Sequence, residues 1–243
     1  MKVIKLFGLP RTCTNLVTVL LKKNFQVLVL INFPDWKHGK LEYQKRKIRH
    51  RWNDLPDKKR SQKLKSITDD NDYLYFAICL KDPYRWLVSY YEHIKKRGGY
   101  KKVSFDELIQ GVKSYYYDQN ILDVYNDLIE HWYSIHNMEG VLTVMAEDLV
   151  SEKGQLSFLK HFQSALGLSQ LNAEYKTEVK DVLQGKRNLS VPVADRSVYR
   201  QRNIVPYYNK ELVDMINSKL NEDLVNISGY RLMDYDELVQ RDA

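Results

Sequence analysis

A chain of 243 residues with 44% hydrophobic content has room for one sizeable core, and two cysteines are too few for a disulfide framework. No apolar run reaches the ~18 residues that span a bilayer, and no charged-then-apolar leader opens the chain, so the sequence predicts a soluble, cytoplasmic, single-domain protein. The net charge of +7 is distributed unevenly: residues 36–65 carry twelve Lys or Arg against three acids, a net +9 that exceeds the whole-chain value.

The first element is an apolar run, Val3-Ile4-Lys5-Leu6-Phe7, which predicts a strand. It breaks at Gly8-Leu9-Pro10-Arg11-Thr12-Cys13-Thr14-Asn15 and resumes as a helical pattern to Lys23. A strand, a tight loop and a helix aim backbone N–H groups and the positive end of a helix dipole at one point, which suits phosphate or sulfate. Gly8 permits close backbone approach, Pro10 suits the approach to a helix, Arg11 adds a planar fork of donors, and Thr12 and Thr14 add hydroxyls. A Walker A loop needs Gly-Lys followed by Ser or Thr at fixed spacing, and none follows Gly8, which disfavours an ATP or GTP kinase. Taken alone, the turn is equally compatible with a generic β-to-α connection bearing a surface arginine.

Gln26 to Ile31 reads as a second strand, made almost wholly of Val, Leu and Ile, as expected of a parallel sheet covered on both faces. The loop after it, Asn32-Phe33-Pro34-Asp35-Trp36-Lys37-His38-Gly39, carries Asp35, Lys37 and His38. In the basic segment Leu41, Ile48, Trp52 and Leu55 recur near helical spacing, predicting a basic helical insertion at about residues 36–68. Its basic face is either a solvated surface or an attractor for an anionic partner.

Tyr73 to Leu80 is a third strand, followed by Lys81-Asp82-Pro83 and a helix to about Lys96, which sets Arg85 and Ser89 four apart on one face. Ser104 and Glu107 form a capping-box signature. Residues 119–138 predict a helix whose Leu122, Tyr125, Ile129, Trp132 and Ile135 belong to the core. Val141 to Met145 predicts a strand, Glu152 to Leu166 a helix ended by Gly167, and Lys210 to Asp223 a last helix. Strands alternating with helices predict an α/β fold, a three-layer sandwich with a central, mostly parallel sheet flanked by helices and ligands beyond the carboxyl ends of the strands.

Together these motifs resemble the sulfotransferase family that uses 3′-phosphoadenosine 5′-phosphosulfate, a variant of the P-loop nucleotide-kinase-like fold. The family's 5′-phosphosulfate loop, Gly-x-Pro-Arg/Lys-Ser/Thr-Gly-Thr-Thr, is similar to Gly8 through Asn15. Its Arg-Asp-Pro turn with Ser-Tyr-Tyr on the following helix resembles Lys81-Asp82-Pro83 and Ser89-Tyr90-Tyr91. Glu147-Asp148-Leu149, Leu166-Gly167-Leu168 and Gly229-Tyr230 resemble later family elements in the same order.

The resemblance implies a donor held by Gly8, Pro10, Arg11, Thr12, Cys13, Thr14 and Asn15 at its 5′ end and by Lys81, Arg85 and Ser89 at its 3′-phosphate. Arg11 would stabilise charge on the bridging oxygen, and Lys37 could also contact the sulfuryl group. His38, whose ordinary pKa lies near neutrality, is the favoured base, with Asp35 the alternative. Arg187, Arg196 and Arg200 would be further donor or acceptor contacts. The implied reaction moves a sulfuryl group to a hydroxyl or amine of a small-molecule or glycan acceptor, anionic ones included. It leaves adenosine 3′,5′-bisphosphate and needs no metal, no nucleic-acid partner and no transmembrane segment.

The chain departs from the family pattern at four positions. Cys13 stands where the family has glycine, so its Cβ is expected to crowd the ligand or impose a special backbone angle. Asn15 replaces a hydroxyl residue, Lys81 an arginine and Ala146 a tyrosine. A phosphotransferase on the same fold and a non-catalytic module binding nucleic acid or another polyanion are the alternatives.

Overall fold

The computed structural model describes residues 2–31, 37–40, 74–136, 141–177 and 203–242. They form two compact units, one drawn from residues 1–80 and 134–196, the other from 81–133 and 197–243. The predicted basic insertion, apart from residues 37–40, lies outside the described residues, as do Asp35, Arg187, Arg196 and Arg200.

The first unit is α/β. Strands β1 (Lys2–Gly8), β2 (Val27–Leu30), β3 (Leu74–Leu80) and β4 (Val141–Met145) form a sheet of order β2-β1-β3-β4, with every pairing parallel. Ile4, Leu6, Val29, Ala77, Cys79 and Val144 line one face. Against them pack Leu16, Val17, Leu20 and Leu21 of α1 (Thr14–Asn24) and Phe158, Leu159, Phe162 and Leu166 of α5 (Glu152–Leu166). The alternate side chains Val3, Phe7, Phe76, Ile78 and Leu80 are buried too, which explains why the strands read as continuous apolar runs. Helix α5 opens on Ser151, whose hydroxyl accepts from the Gly154 N–H at 3.0 Å. It closes on Gly167 at φ 55°, a left-handed cap that glycine adopts without a Cβ clash.

The second unit is helical: α2 (Pro83–Lys96), α3 (Phe105–Gln110), most of α4 (Ile121–His136), α6 (Lys210–Lys219), α7 (Glu222–Ile227) and α8 (Tyr235–Asp242). Ser104 and Glu107 form the predicted capping box at α3. Leu122, Tyr125, Ile129 and Trp132 of α4 are buried as expected, the Tyr125 ring lying 5.5 Å from that of Trp86.

The C-terminal expectation requires correction. The helix beginning at Lys210 stops at Lys219, because Leu220 turns extended and the Asn221 side chain accepts from the Leu224 N–H at 3.3 Å to start α7. A further helix, α8, follows a second capping box. The Asp234 carboxylate accepts from the Glu237 N–H at 2.8 Å, and Glu237 accepts from the Asp234 N–H at 3.3 Å. Both caps are legible in the sequence as Asn-Glu-Asp and Asp-Tyr-Asp-Glu. No helix among the described residues is long and apolar enough to cross a membrane.

Candidate anion site at the β1–α1 turn

From β1 the chain moves one way in the sheet to β2 and then returns across β1 to β3. The carboxyl end of β1 is therefore the point where strand order reverses, the usual ligand position in open parallel sheets. Gly8 sits there, paired in register with Cys79 of β3. A Cβ on Gly8 would lie 2.5 Å from Thr12 Oγ1, 2.8 Å from the Cys79 carbonyl oxygen and 2.9 Å from Cys79 Cβ, so no side chain fits.

Past Gly8 the backbone turns tightly. The Thr12 amide and hydroxyl both donate to the Leu9 carbonyl, at 3.2 and 2.7 Å, and Thr12 is fully buried. Its hydroxyl proton is thus spent on the loop's own fold. Arg11 and Cys13 both take left-handed backbone angles, φ 76° and 60°. That conformation costs a non-glycine residue roughly 1–2 kcal/mol, and such strain concentrates where a loop serves a ligand. Cys13 therefore keeps the backbone angle a glycine would supply, rather than a different one. It is also the N-cap of α1, and its own side chain makes no capping hydrogen bond there. The first N–H groups of α1 have no partner inside the helix, and the dipole adds partial positive charge to them. Thr14, at the first turn, is buried.

Residues 37–40 return across the end of β1. The Gly8 N–H donates to the Lys37 carbonyl at 2.9 Å, and His38 Nδ1 lies 2.5 Å from the Gly8 carbonyl oxygen. A carbonyl only accepts, so Nδ1 carries the proton, and in the neutral ring Nε2 holds the lone pair. Lys37 Nζ donates to Asn15 Oδ1 at 2.7 Å. Burial pushes the Lys37 ammonium below the ordinary lysine pKa; Cys79 opposes that shift and the Arg11 charge adds to it. Cys79, fully buried, stays a thiol well above its ordinary range, raised by burial and by Cys13 against the pull of Lys37. Arg11 Nε is buried with no hydrogen-bond partner among the described residues. A buried orphan donor on a cation is costly to leave unmade, and an anion held there would satisfy it.

Of the residues singled out from sequence, the structure thus gathers Gly8, Arg11, Thr12, Cys13, Thr14, Asn15, Lys37 and His38 around one turn. Lys81, Arg85 and Ser89 belong to the helical unit. Lys81 directly follows β3, while Asp82 caps α2 by accepting the Arg85 N–H at 2.9 Å. The Arg85 guanidinium is ion-paired with the buried carboxylate of Asp242 in α8. Ser89 lies half-buried on the same helix.

Sequence reasoning missed Lys5. Its side chain is fully buried in β1, its ammonium lies 4.8 Å from the Phe7 ring centre, and it donates to the Ile31 carbonyl at 2.8 Å, holding the exit of β2. The signal was present as one lysine inside an apolar strand. Among the described residues no cluster of three or more His, Cys, Asp or Glu could hold a metal ion. No protein-family model matches this chain, and no curated protein matches it either.

Proposed function

We propose that this protein is a sulfotransferase that takes the sulfuryl group from 3′-phosphoadenosine 5′-phosphosulfate, with a P-loop-like turn as its 5′-phosphosulfate cradle. The observation that carries this reading is the buried Nε of Arg11, unpartnered among the described residues, beside a helix start that its N-cap side chain does not cap and the desolvated Lys37. Two cations and a helix dipole facing one turn form an environment that an anion relieves. A Walker A lysine is absent, Thr14 standing in its place, which favours sulfuryl over nucleotide phosphoryl transfer.

In this reading the α1 amides hold the 5′-phosphate, and Arg11 and Lys37 face the sulfuryl oxygens. Lys81 and Ser89 serve the 3′-phosphate. The acceptor oxygen attacks sulfur in line, its proton passes to His38 Nε2, and the bond between sulfur and the 5′-phosphate oxygen breaks, releasing adenosine 3′,5′-bisphosphate. Arg11 offsets the charge that develops on the leaving oxygen. The tautomer set by Gly8 leaves the accepting nitrogen as Nε2. The acceptor is a small molecule or a glycan.

Thermal shift with adenosine 3′,5′-bisphosphate, ATP, GTP and an oligonucleotide tests the reading. The bisphosphate is expected to raise Tm while the other three leave it unchanged. Stabilisation by ATP but not the bisphosphate would turn the assignment to a phosphotransferase, and by the oligonucleotide alone to a nucleic-acid module.

A further inference from the structure

Asp242, in the last turn of α8, is buried, and both of its carboxylate oxygens are held by guanidinium groups. Oδ1 pairs with Arg85 of α2, and Oδ2 accepts from Arg241 Nη2 at 2.8 Å and from Nε at 3.3 Å. Arg241 reaches on to Asp82, with Nη1 2.6 Å from Oδ2 and Nη2 3.3 Å from Oδ1. Asp82 in turn caps α2 through the Arg85 N–H. Two guanidinium forks closing on one buried anion is the arrangement proteins use for phosphate. Here the anion is the chain's own carboxylate. The Asp242 side chain is fully excluded from solvent, whereas that of Arg85 stays 20% exposed, so Arg85 is the member of the pair an outside anion can reach.

We propose that Asp242 is an internal competitor for Arg85, so that α8 acts as an autoinhibitory latch that a phosphate monoester must displace; this rests on the donor reading above. A phosphate brings up to two charges and three acceptor oxygens against one charge and two oxygens, so it is the stronger partner for Arg85. The tethered carboxylate has the advantage of effective concentration. Leu238, fully buried on α8, resists release as well. The apparent affinity for a 3′-phosphate is therefore reduced by the fraction of molecules in which α8 is docked. Arg241 lies on α8 as well, so its pair with Asp82 breaks with the Arg85–Asp242 pair when α8 undocks and adds to the resistance.

Calorimetric titration of wild type, Asp242→Asn and Asp236→Asn with adenosine 3′,5′-bisphosphate, adenosine 5′-monophosphate and inorganic phosphate tests the latch. Asp236 lies exposed on the same helix, so its variant reports the bulk charge change alone. D242N is expected to bind the bisphosphate about tenfold more tightly than wild type, with the 5′-monophosphate unchanged and D236N within twofold. In wild type, hydrogen exchange of the α8 amides is expected to quicken when the bisphosphate binds, a readout that needs no variant to fold. Equal bisphosphate affinity in wild type and D242N, an equal gain in D236N, or unchanged α8 exchange overturns the latch. If none of the three proteins binds the bisphosphate, the donor reading falls. A gain in inorganic phosphate affinity confined to D242N then upholds the latch, and no such gain overturns it too.

Discussion

After β1 the chain enters α1 through two left-handed residues, the second an N-cap whose own side chain makes no capping hydrogen bond, with a buried guanidinium nitrogen that has no partner among the described residues. After β3 it enters α2 through Asp82, which caps the helix and pairs with Arg241, while Arg85 is met by Asp242. Both are strand-to-helix turns rich in positive charge. In the first the Arg11 Nε meets no acceptor among the described residues, and in the second the guanidinium is answered from within the chain. A motif that places arginine at a helix start therefore does not by itself make an anion site; what separates the two turns is whether a carboxylate elsewhere in the fold has claimed the guanidinium.

The sharpest way to break that contrast is Arg11→Ala. If the unanswered turn does the chemistry, sulfuryl transfer falls about 10²–10³-fold, as when one preorganised charge-stabilising donor is lost, with Tm little changed. Turnover equal to wild type in a labelled-donor assay would reduce the β1–α1 turn to a structural connection.

Gly8→Ala comes next. Its Cβ would sit 2.8 Å from the Cys79 carbonyl and 2.9 Å from Cys79 Cβ, both fixed by β3, so the turn must shift. Overpacking of this kind costs about 3 kcal/mol, read as a lower urea midpoint, and the bisphosphate should no longer stabilise the protein. Retained binding would mean that the cradle tolerates displacement.

Alkaline titration separates the turns by sign. The Lys37 pKa is depressed by burial and by Arg11, so between that value and the ordinary lysine range the unfolded chain holds more protons, and Lys37 contributes rising stability as pH increases. Tyr84, in the helical unit, goes the other way. Burial pushes its phenol up to about 12, while its hydroxyl donates to Asn217 Oδ1 at 2.5 Å and accepts from the Met233 N–H at 2.9 Å. Its folded pKa lies above the unfolded value near 10, so its contribution is complete below pH 10 and is lost between about 10 and 12. Urea midpoints across pH 8–11.5 should fall more gently in Tyr84→Phe and rise less in Lys37→Met. Affinity for the intact phosphosulfate donor should drop with pH earlier than an ordinary lysine would make it. Parallel curves for all three proteins would refute both assignments.

The smallest effect is Cys13→Gly. Releasing the left-handed strain should gain about 1 kcal/mol, less the contact Cys13 makes with the core, for a Tm rise of about 2 °C. A fall in Tm would show that the thiol's packing outweighs its backbone strain.

The sheet strands, α2, β4 and α5 were readable because each rests on local signals: continuous apolar runs, Pro83 at a helix start, Gly167 at a helix end. That the Gly8–Asn15 loop and the loop carrying Lys37 and His38 belong to one end of the sheet was readable, and Gly8, Arg11, Lys37 and His38 do meet at one turn. How they meet was not. The Lys37–Asn15 hydrogen bond spans 22 positions, and the Arg85–Asp242 pair spans 157. No periodicity encodes such partners, because they depend on how elements come together. The C-terminal helices differ in kind: a last helix to Asp223 runs through the Asn221 cap and stops short of the Asp234 cap, although both are local signals.

Gly8 gives its N–H to Lys37 and receives one from the His38 ring, which splices the imidazole to the main chain of the loop. In the proposed reaction position 38 must therefore donate from one end of its side chain and accept from the other. A saturation library at this codon becomes a test of bifunctionality rather than of basicity. Aspartate and glutamate, basic enough but unable to donate, should drop out of a selection for turnover. Glutamine, able to donate but hardly basic, should persist in a selection for folding alone.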